Sequence, residues 1–464
     1  MMFAAIKKLL NNDFEKKIIP FGVPPLIVIS FGVLAAQPEL RLAVPLLVGI
    51  TAFLVLLLTS IAYVSERYGV FFSPILVLSV ALVLRLMFLF APPQLSNDIY
   101  RYLWDGQQVL NGVNPYAAAP ADIHPSQELE KLHPLINHPE LSTIYPPAAQ
   151  LVFAGGSLLG GGTTGLKAFL VLFDMGLCAL LVQALGQMGM PAWRAVLYAW
   201  NPLPVVEIAG SGHADGSGLT MLLAAICLLM NESGNRAEPD TRIWPYLLAG
   251  ALLACAGLVK LFPFALAPLA LLLLPPNRRK LCVSGFLGAF VALLLPFLSH
   301  LANLAITMAA YARNWEFAGF AFSTLRKLTG SGEIARTLLL GSFMIFTALT
   351  YRGLARHLAA KTPIADSRHL FFESCYGLSM AMLLLTPTLQ PWYALSLAVF
   401  LPFCAGPAGI VLCWAVFLTY RVQIPYFTTG QWIEDPLVTA AVFLSTATAY
   451  MLNRIARSYC RSSG

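Results

Sequence analysis

Charge is scarce in this chain. Lys, Arg, Asp and Glu together make up 11% of its 464 residues, against about 25% in a soluble domain. That shortage excludes an ordinary water-exposed globular surface. Cysteine pairing is missing as well. The eight cysteines form no C-x-x-C pair, none falls between Ser96 and Pro147, and seven sit in or beside apolar runs. There a thiol behaves as a small hydrophobe, so neither a disulfide framework nor a cysteine metal site is expected. His124, His133 and His138 lack the spacing of metal ligands. No long basic tract is present. The net charge of +7 is spread over short clusters between apolar runs, which argues against nucleic acid as a partner. Alternating apolar and polar residues are also absent over any long stretch, which excludes a β-barrel. Neither an internal repeat nor a soluble domain is visible.

What fills the chain instead is apolar sequence. It is 58% hydrophobic, with a mean hydropathy of +0.73. Long apolar runs predict an all-α polytopic membrane protein with about 12–14 spans. The first three are read over Ile18–Ala36, Leu42–Val64 and Phe71–Phe90. Tyr145–Leu159 is apolar but short, and a glycine cluster follows it. It is read as lying at the interface rather than crossing. With that choice, every Lys/Arg-rich connection falls on the cytoplasmic side, including Asn231–Arg242, Arg278–Lys280 and the 453–464 tail. The start, with Lys7, Lys8, Lys16 and Lys17, lacks the pattern of a cleavable signal peptide and reads as a cytoplasmic segment over 1–17. A plasma-membrane protein with both termini inside is the expectation, as one membrane domain over 1–464. Its external loop would span 93–165 and carry interfacial helices.

Residues Ser96–Pro147 interrupt the apolar pattern with a long polar stretch rich in Asp, Tyr, Trp and His. Loops of this length are usually functional. If Ser96 or Asn97 caps a helix, Asp98, Arg101, Tyr102 and Asp105 share a face at spacings of three and four. A carboxylate in the first turn is favoured as an anion by the helix dipole, which suits a general base. The same topology gathers other polar residues at the outer ends of spans: Glu207, His213, Asp215, Lys260, Arg313, Trp315, Gln390, Trp392 and Tyr393. Each also has a structural explanation. Asp98 can serve as a helix cap, Lys260 can snorkel to headgroups, and Glu207 can steady a helix broken by Pro202 and Pro204. The aromatics can belong to an interfacial belt. Arg85 and Asp174 are expected to form a buried structural pair.

Several segments together resemble the GT-C superfamily of integral-membrane glycosyltransferases, and within it the bacterial polyprenyl-phosphate-mannose-dependent α-1,6-mannosyltransferases. They are S-N-D-I-Y-R-Y-L-W-D-G at Ser96–Gly106, G-V-N-P-Y at Gly112–Tyr116, N-H-P at Asn137–Pro139 and T-I-Y-P-P at Thr143–Pro147. Further on come S-G-H-A-D at Ser211–Asp215, K-L-F-P at Lys260–Pro263, Y-A-R-N-W-E-F at Tyr311–Phe317 and P-T-L-Q-P-W-Y at Pro387–Tyr393. The family often places two acids before the I/V-Y-R-Y segment; the first is Asn97 here, leaving Asp98 alone.

The resemblance implies inverting transfer of a hexosyl group, mannosyl in the family it resembles, from a polyprenyl-phosphate donor to a glycolipid or glycan acceptor at the outer membrane face. It implies Asp98 as base, without cofactor or metal. Lys260, Arg101, His213 and Arg313 would meet the donor phosphate. Tyr102, Trp104, Asp105, Glu207, Asp215, Trp315, Gln390, Trp392 and Tyr393 would contact sugar or acceptor. The alternative is a lipid or glycan flippase without transferase activity. Its usual repeats and intramembrane charge path are not evident.

Overall fold

The computed structural model describes residues 13–125, 129–160, 162–234, 242–360 and 363–462. Most of the 1–17 segment, the centre of the Asn231–Arg242 connection, Gly161, Lys361 and the side chains of Arg457, Cys460 and Arg461 lie outside that description.

Among the described residues the chain is all helix and connection, as its composition requires. Six helical stretches are long and apolar enough to cross a bilayer: Val44–Tyr68, Thr163–Gln187, Pro276–Asn314, Gly332–Ala359, Pro407–Thr429 and Pro436–Ile455. Five shorter apolar helices accompany them. This is a polytopic membrane protein. Its lipid-facing surface is visible in exposed side chains such as Leu56, Ile75, Leu340, Ile345 and Leu444.

Two apolar segments of the bundle are not continuous helices. Residues 192–210 and 391–404 break into short helical pieces at Trp200-Asn201 and at Val399-Phe400, just ahead of Pro202 and Pro402. Proline removes a backbone donor and ends a helix. Irregular backbone at membrane depth is tolerated only inside protein. Accordingly Trp200, Leu203, Val205, Ala394, Leu397 and Leu401 are fully buried. The two broken segments pack on one another, the 196–199 piece against 401–404 and the 202–204 piece against 391–398.

Charges inside this bundle have polar partners. Arg85 Nε donates to Asp174 Oδ2 at 2.8 Å with both side chains fully buried, and Tyr198 donates to the other carboxylate oxygen at 2.7 Å. The expected structural pair is therefore present. Removing one member of such a pair costs about 3–5 kcal/mol. Lys167 donates to the Phe88 and Ala91 carbonyls at 2.7 Å each. It thereby closes the end of the Pro74–Leu89 helix just before the polar stretch begins.

The polar stretch folds around two short helices, Asp98–Leu110 and Pro147–Ser157. The second has eleven residues and is about 16 Å long, too short to cross about 30 Å of hydrocarbon. The two helices pack through glycine. A Cβ on Gly106 would lie 2.5 Å from the Phe153 carbonyl oxygen. Tyr102 stacks on Phe153 with centroids 4.3 Å apart. The intervening loop makes its own small cores, Trp104 with Leu129 and Ile136, and Tyr116 with Phe297 and Leu304.

Two helices were not anticipated from sequence. Leu301–Asn314 continues the Pro276–Leu294 helix past a 3-10 turn, and Phe320–Thr329 follows it. Leu301–Asn314 lies against the polar loop: Asn303 donates to the Tyr116 carbonyl and Ser142 bonds Thr307.

Candidate active-site cavity

A cavity of about 770 Å³ lies between the polar loop and the bundle. Residues from across the chain meet on its wall. Asp98, Arg101, Asp215, Lys260, Trp315, Gln390, Trp392 and Tyr393 all line it. Its floor and sides are apolar in part, with Leu219, Leu261, Phe262, Pro263, Met308 and Met382.

Asp98 opens its helix. Ser96 Oγ accepts from the Asp98 backbone N–H at 3.2 Å, and Asn97 makes no side-chain cap. The carboxylate therefore points from the first turn into the cavity. One of its oxygens, Oδ1, accepts from Asn137 Nδ2 at 2.8 Å. Burial pushes the Asp98 carboxyl up from its ordinary range, while the Asn137 hydrogen bond and the Lys260 charge pull it down.

Lys260 ends the Trp244–Val259 helix in extended backbone, just before Pro263 starts the next. Its Nζ lies 3.3 Å from Asp215 Oδ2 and 5.2 Å from the centre of the Tyr393 ring. The ammonium faces the cavity instead of reaching along the surface to headgroups.

The aromatic wall is held by backbone. Phe317 N–H donates to Pro387 O at 3.1 Å and Leu389 N–H donates to Phe317 O at 2.7 Å. This pairing sets Trp315 beside Gln390, Trp392 and Tyr393. Tyr311 and Tyr393 share a hydroxyl hydrogen bond of 2.7 Å.

Several expected contacts are placed elsewhere. Trp104 is buried in the loop core, edge-on to His133, and Tyr102 is buried between Tyr145 and Phe153; neither reaches the cavity. Asp105 is buried and accepts from Arg101 Nε at 2.9 Å. Gln150 donates to its other oxygen at 3.4 Å. Arg101 reaches the wall, but a second nitrogen is committed to the Leu141 carbonyl at 2.9 Å. Arg313 is exposed and off the cavity.

Glu207 and His213 lie behind the wall. Both are fully buried, 3.6 Å apart. Glu207 receives the Tyr420 hydroxyl at 2.9 Å on both oxygens, and His213 stacks on Trp392 at 3.8 Å. They would act on a ligand only through Tyr420 and Trp392, which do line the cavity. Asn137, Tyr145 and Tyr420 were not among the candidates and are on the wall, as are Tyr311 and Glu316 of the Y-A-R-N-W-E-F segment. The N-H-P segment was the signal available for Asn137. Among the described residues, no three His, Cys, Asp or Glu side chains gather as metal ligands.

The fold and the cavity define a class: a polytopic membrane protein whose one long polar loop closes over a carboxylate–lysine site. Residues 26–275, more than half of the chain, match the family described as alpha-(1->6)-mannopyranosyltransferase, N-terminal domain, and the chain belongs to that family. A curated relative, alpha-(1->6)-mannopyranosyltransferase B of Corynebacterium glutamicum, is 24% identical over 341 residues, covering 65% of this chain and 54% of the relative. The chain thus spans about half the length of that relative. The aromatic wall from Trp315 to Tyr393 lies beyond the family-matched residues.

Proposed function

We propose that this protein is a membrane glycosyltransferase that moves a mannosyl group from a polyprenyl-phosphate donor to a lipid- or glycan-linked acceptor at the outer face of the plasma membrane. The observation that carries this is the joint presence of Asp98 and Lys260 on one cavity wall. A base and a cation facing one space are what such a displacement needs.

In this mechanism the Asp98 carboxylate takes the proton of the acceptor hydroxyl. The acceptor oxygen attacks the anomeric carbon from the face opposite the phosphate. The bond from that carbon to the phosphate oxygen breaks, and polyprenyl phosphate leaves with the bonding pair. Configuration inverts in this single displacement. Lys260 neutralises charge growing on the phosphate, usually the largest catalytic contribution. Asp215 fixes the ammonium in place. Trp392, backed by the His213 ring, offers a flat face for a sugar, with Trp315 and Tyr393 beside it. The volume suits a sugar with the first units of a lipid chain, and Leu261, Phe262 and Met382 line a path for that chain toward lipid.

The family membership supports the sugar and the linkage class. The name of the relative supports mannose. The deciding experiment incubates membranes containing the protein with radiolabelled polyprenyl-phosphate mannose. Label in a new glycolipid or glycan is the expected result. Label that only changes leaflet, without a new product, would replace transfer by transport.

A further inference from the structure

Asn137, His138 and Pro139 sit over Asp98 in an unusual backbone. His138 has φ 49°, the left-handed region, directly before a proline. Non-glycine residues rarely adopt it, and a following proline disfavours helical geometry further. Strain of this kind persists only where neighbours over-determine it. Here they do. Leu141 N–H returns to His138 O at 3.1 Å, and Ala121 N–H holds Pro139 O at 2.8 Å. Arg101, from the same helix as Asp98, holds Leu141 O at 2.9 Å. Ser142 is tied to Thr307 at 2.8 Å. The His138 ring meets Trp315 edge-on at 4.9 Å. The turn is thus anchored on three sides, and its one side chain directed at the carboxylate is the Asn137 amide.

We infer that Asn137 is a positioning residue for the base: its amide occupies Asp98 Oδ1, leaves Oδ2 as the oxygen that receives the acceptor proton, and keeps the carboxylate ionised in a buried place. This rests on the assignment of Asp98 as base. An amide N–H can donate to a carboxylate but has nothing equivalent to give a neutral acid's O–H except its carbonyl oxygen, which is turned away when Nδ2 points at Asp98. The bond therefore favours the anion. Burial pushes the other way. The remaining groups around Asp98 are Lys260 and His138, which favour the anion, Tyr145, which donates to it, and Asp215, which opposes it. Lys260 is already shared with Asp215. The Tyr145 hydroxyl is likewise shared, with Tyr102, whereas the Asn137 amide N–H is given to Asp98 Oδ1 at 2.8 Å. Arg101, the strut beneath the turn, keeps a buried Nη2 without a partner, so the strut is not itself saturated by the turn it holds.

The test compares wild type with Asn137→Ala and Asn137→Asp. Asn137 is half-buried in a surface turn, so folding should survive. A hydrogen bond to a charged group is worth about a tenfold change in equilibrium. Asn137→Ala should lower kcat near pH 7 by roughly tenfold, leave KM for the lipid donor little changed, and move the acidic limb of the kcat profile to higher pH. Asn137→Asp, which sets a second carboxylate against Asp98, should move it further. Independently of turnover, infrared difference spectra taken against Asp98→Asn follow the Asp98 carboxylate band with pH and no substrate. The band should titrate in the order wild type, Ala, Asp. Unchanged titration in both variants overturns the proposal even if transfer is slowed. A normal order of titration in a protein without transfer would instead leave Asn137 in place and remove the base assignment.

Discussion

At the scale of single residues, Asp98 carries the sharpest expectations. Burial raises its carboxyl from the ordinary range, so ionisation is less favourable in the folded protein than in the unfolded chain. The sign follows directly. With Asp98 as the proposed base, activity should require the anion and be lost as pH falls through the raised folded value, so the acidic limb should lie above that of an exposed aspartate. Stability runs the other way: ionising Asp98 costs folding free energy as pH rises through that window. Asp98→Asn should therefore lower turnover by about 10²–10⁴-fold and leave melting temperature at neutral pH equal or slightly higher. Near-wild-type turnover would remove the assignment. Asp105→Asn should show the opposite balance. It breaks a buried pair with Arg101, which costs about 3–5 kcal/mol, so its melt should fall clearly while its kcat per folded molecule falls less. Lys260→Met should raise KM for the lipid donor and lower kcat, measured with purified protein and polyprenyl-phosphate mannose. Unchanged kinetics would reduce Lys260 to a partner of Asp215.

At the scale of elements, the position of Asp98 depends on how closely two short helices approach. Gly106 and the Phe153 carbonyl leave no room for a methyl group, and a carbonyl in a helix cannot swing aside. Gly106→Ala should cost at least about 1–3 kcal/mol as overpacking and lower turnover by tilting the Asp98–Leu110 helix. Gly288→Ala, with nothing within 4 Å of its Cβ, should melt like wild type or slightly higher. Equal melts for the two would show that the helix contact tolerates a shift. The helix itself was legible in sequence, because Ser96 before Asp98 and the three-and-four spacing mark a start and a face. The cavity membership of Lys260 was legible too, because an ammonium amid Val259 and Leu261 requires a partner. Leu301–Asn314 was not, since its mixed polar and apolar residues resemble a connection between spans. Trp104 and Tyr102 were misplaced for a related reason. An aromatic in a polar loop reads the same whether it faces a ligand or a small core of its own, and only the partners Leu129, Ile136 and Phe153 decide.

At the scale of the whole molecule, the cavity draws on residues from Arg41 to Trp432. The carboxylate and the lysine come from the family-matched part, and much of the aromatic wall comes from the remainder. The two broken spans help join these parts, the 196–199 piece on 401–404 and the 202–204 piece on 391–398, together with the Tyr420 hydroxyl on Glu207 and the Gln423 amide on the Leu95 carbonyl. The proposal that the cavity faces outward rests on charge alone. The Pro276 connection carries Arg278, Arg279 and Lys280, and basic connections stay cytoplasmic. Glu140, in the polar loop, and Asn277, in that basic connection, are both exposed. Replacing each singly with cysteine gives one reporter for each side. The native cysteines Cys178, Cys227, Cys282, Cys375 and Cys413 are buried, and Cys255, Cys404 and Cys460 are replaced by serine to remove background. In intact cells a membrane-impermeant thiol reagent should label Glu140→Cys and not Asn277→Cys, and both should label after the membrane is permeabilised. Labelling confined to Asn277→Cys would invert the topology and move the proposed transfer to the cytoplasmic face. Labelling of both in sealed cells would break the rule that a single bundle has one basic side.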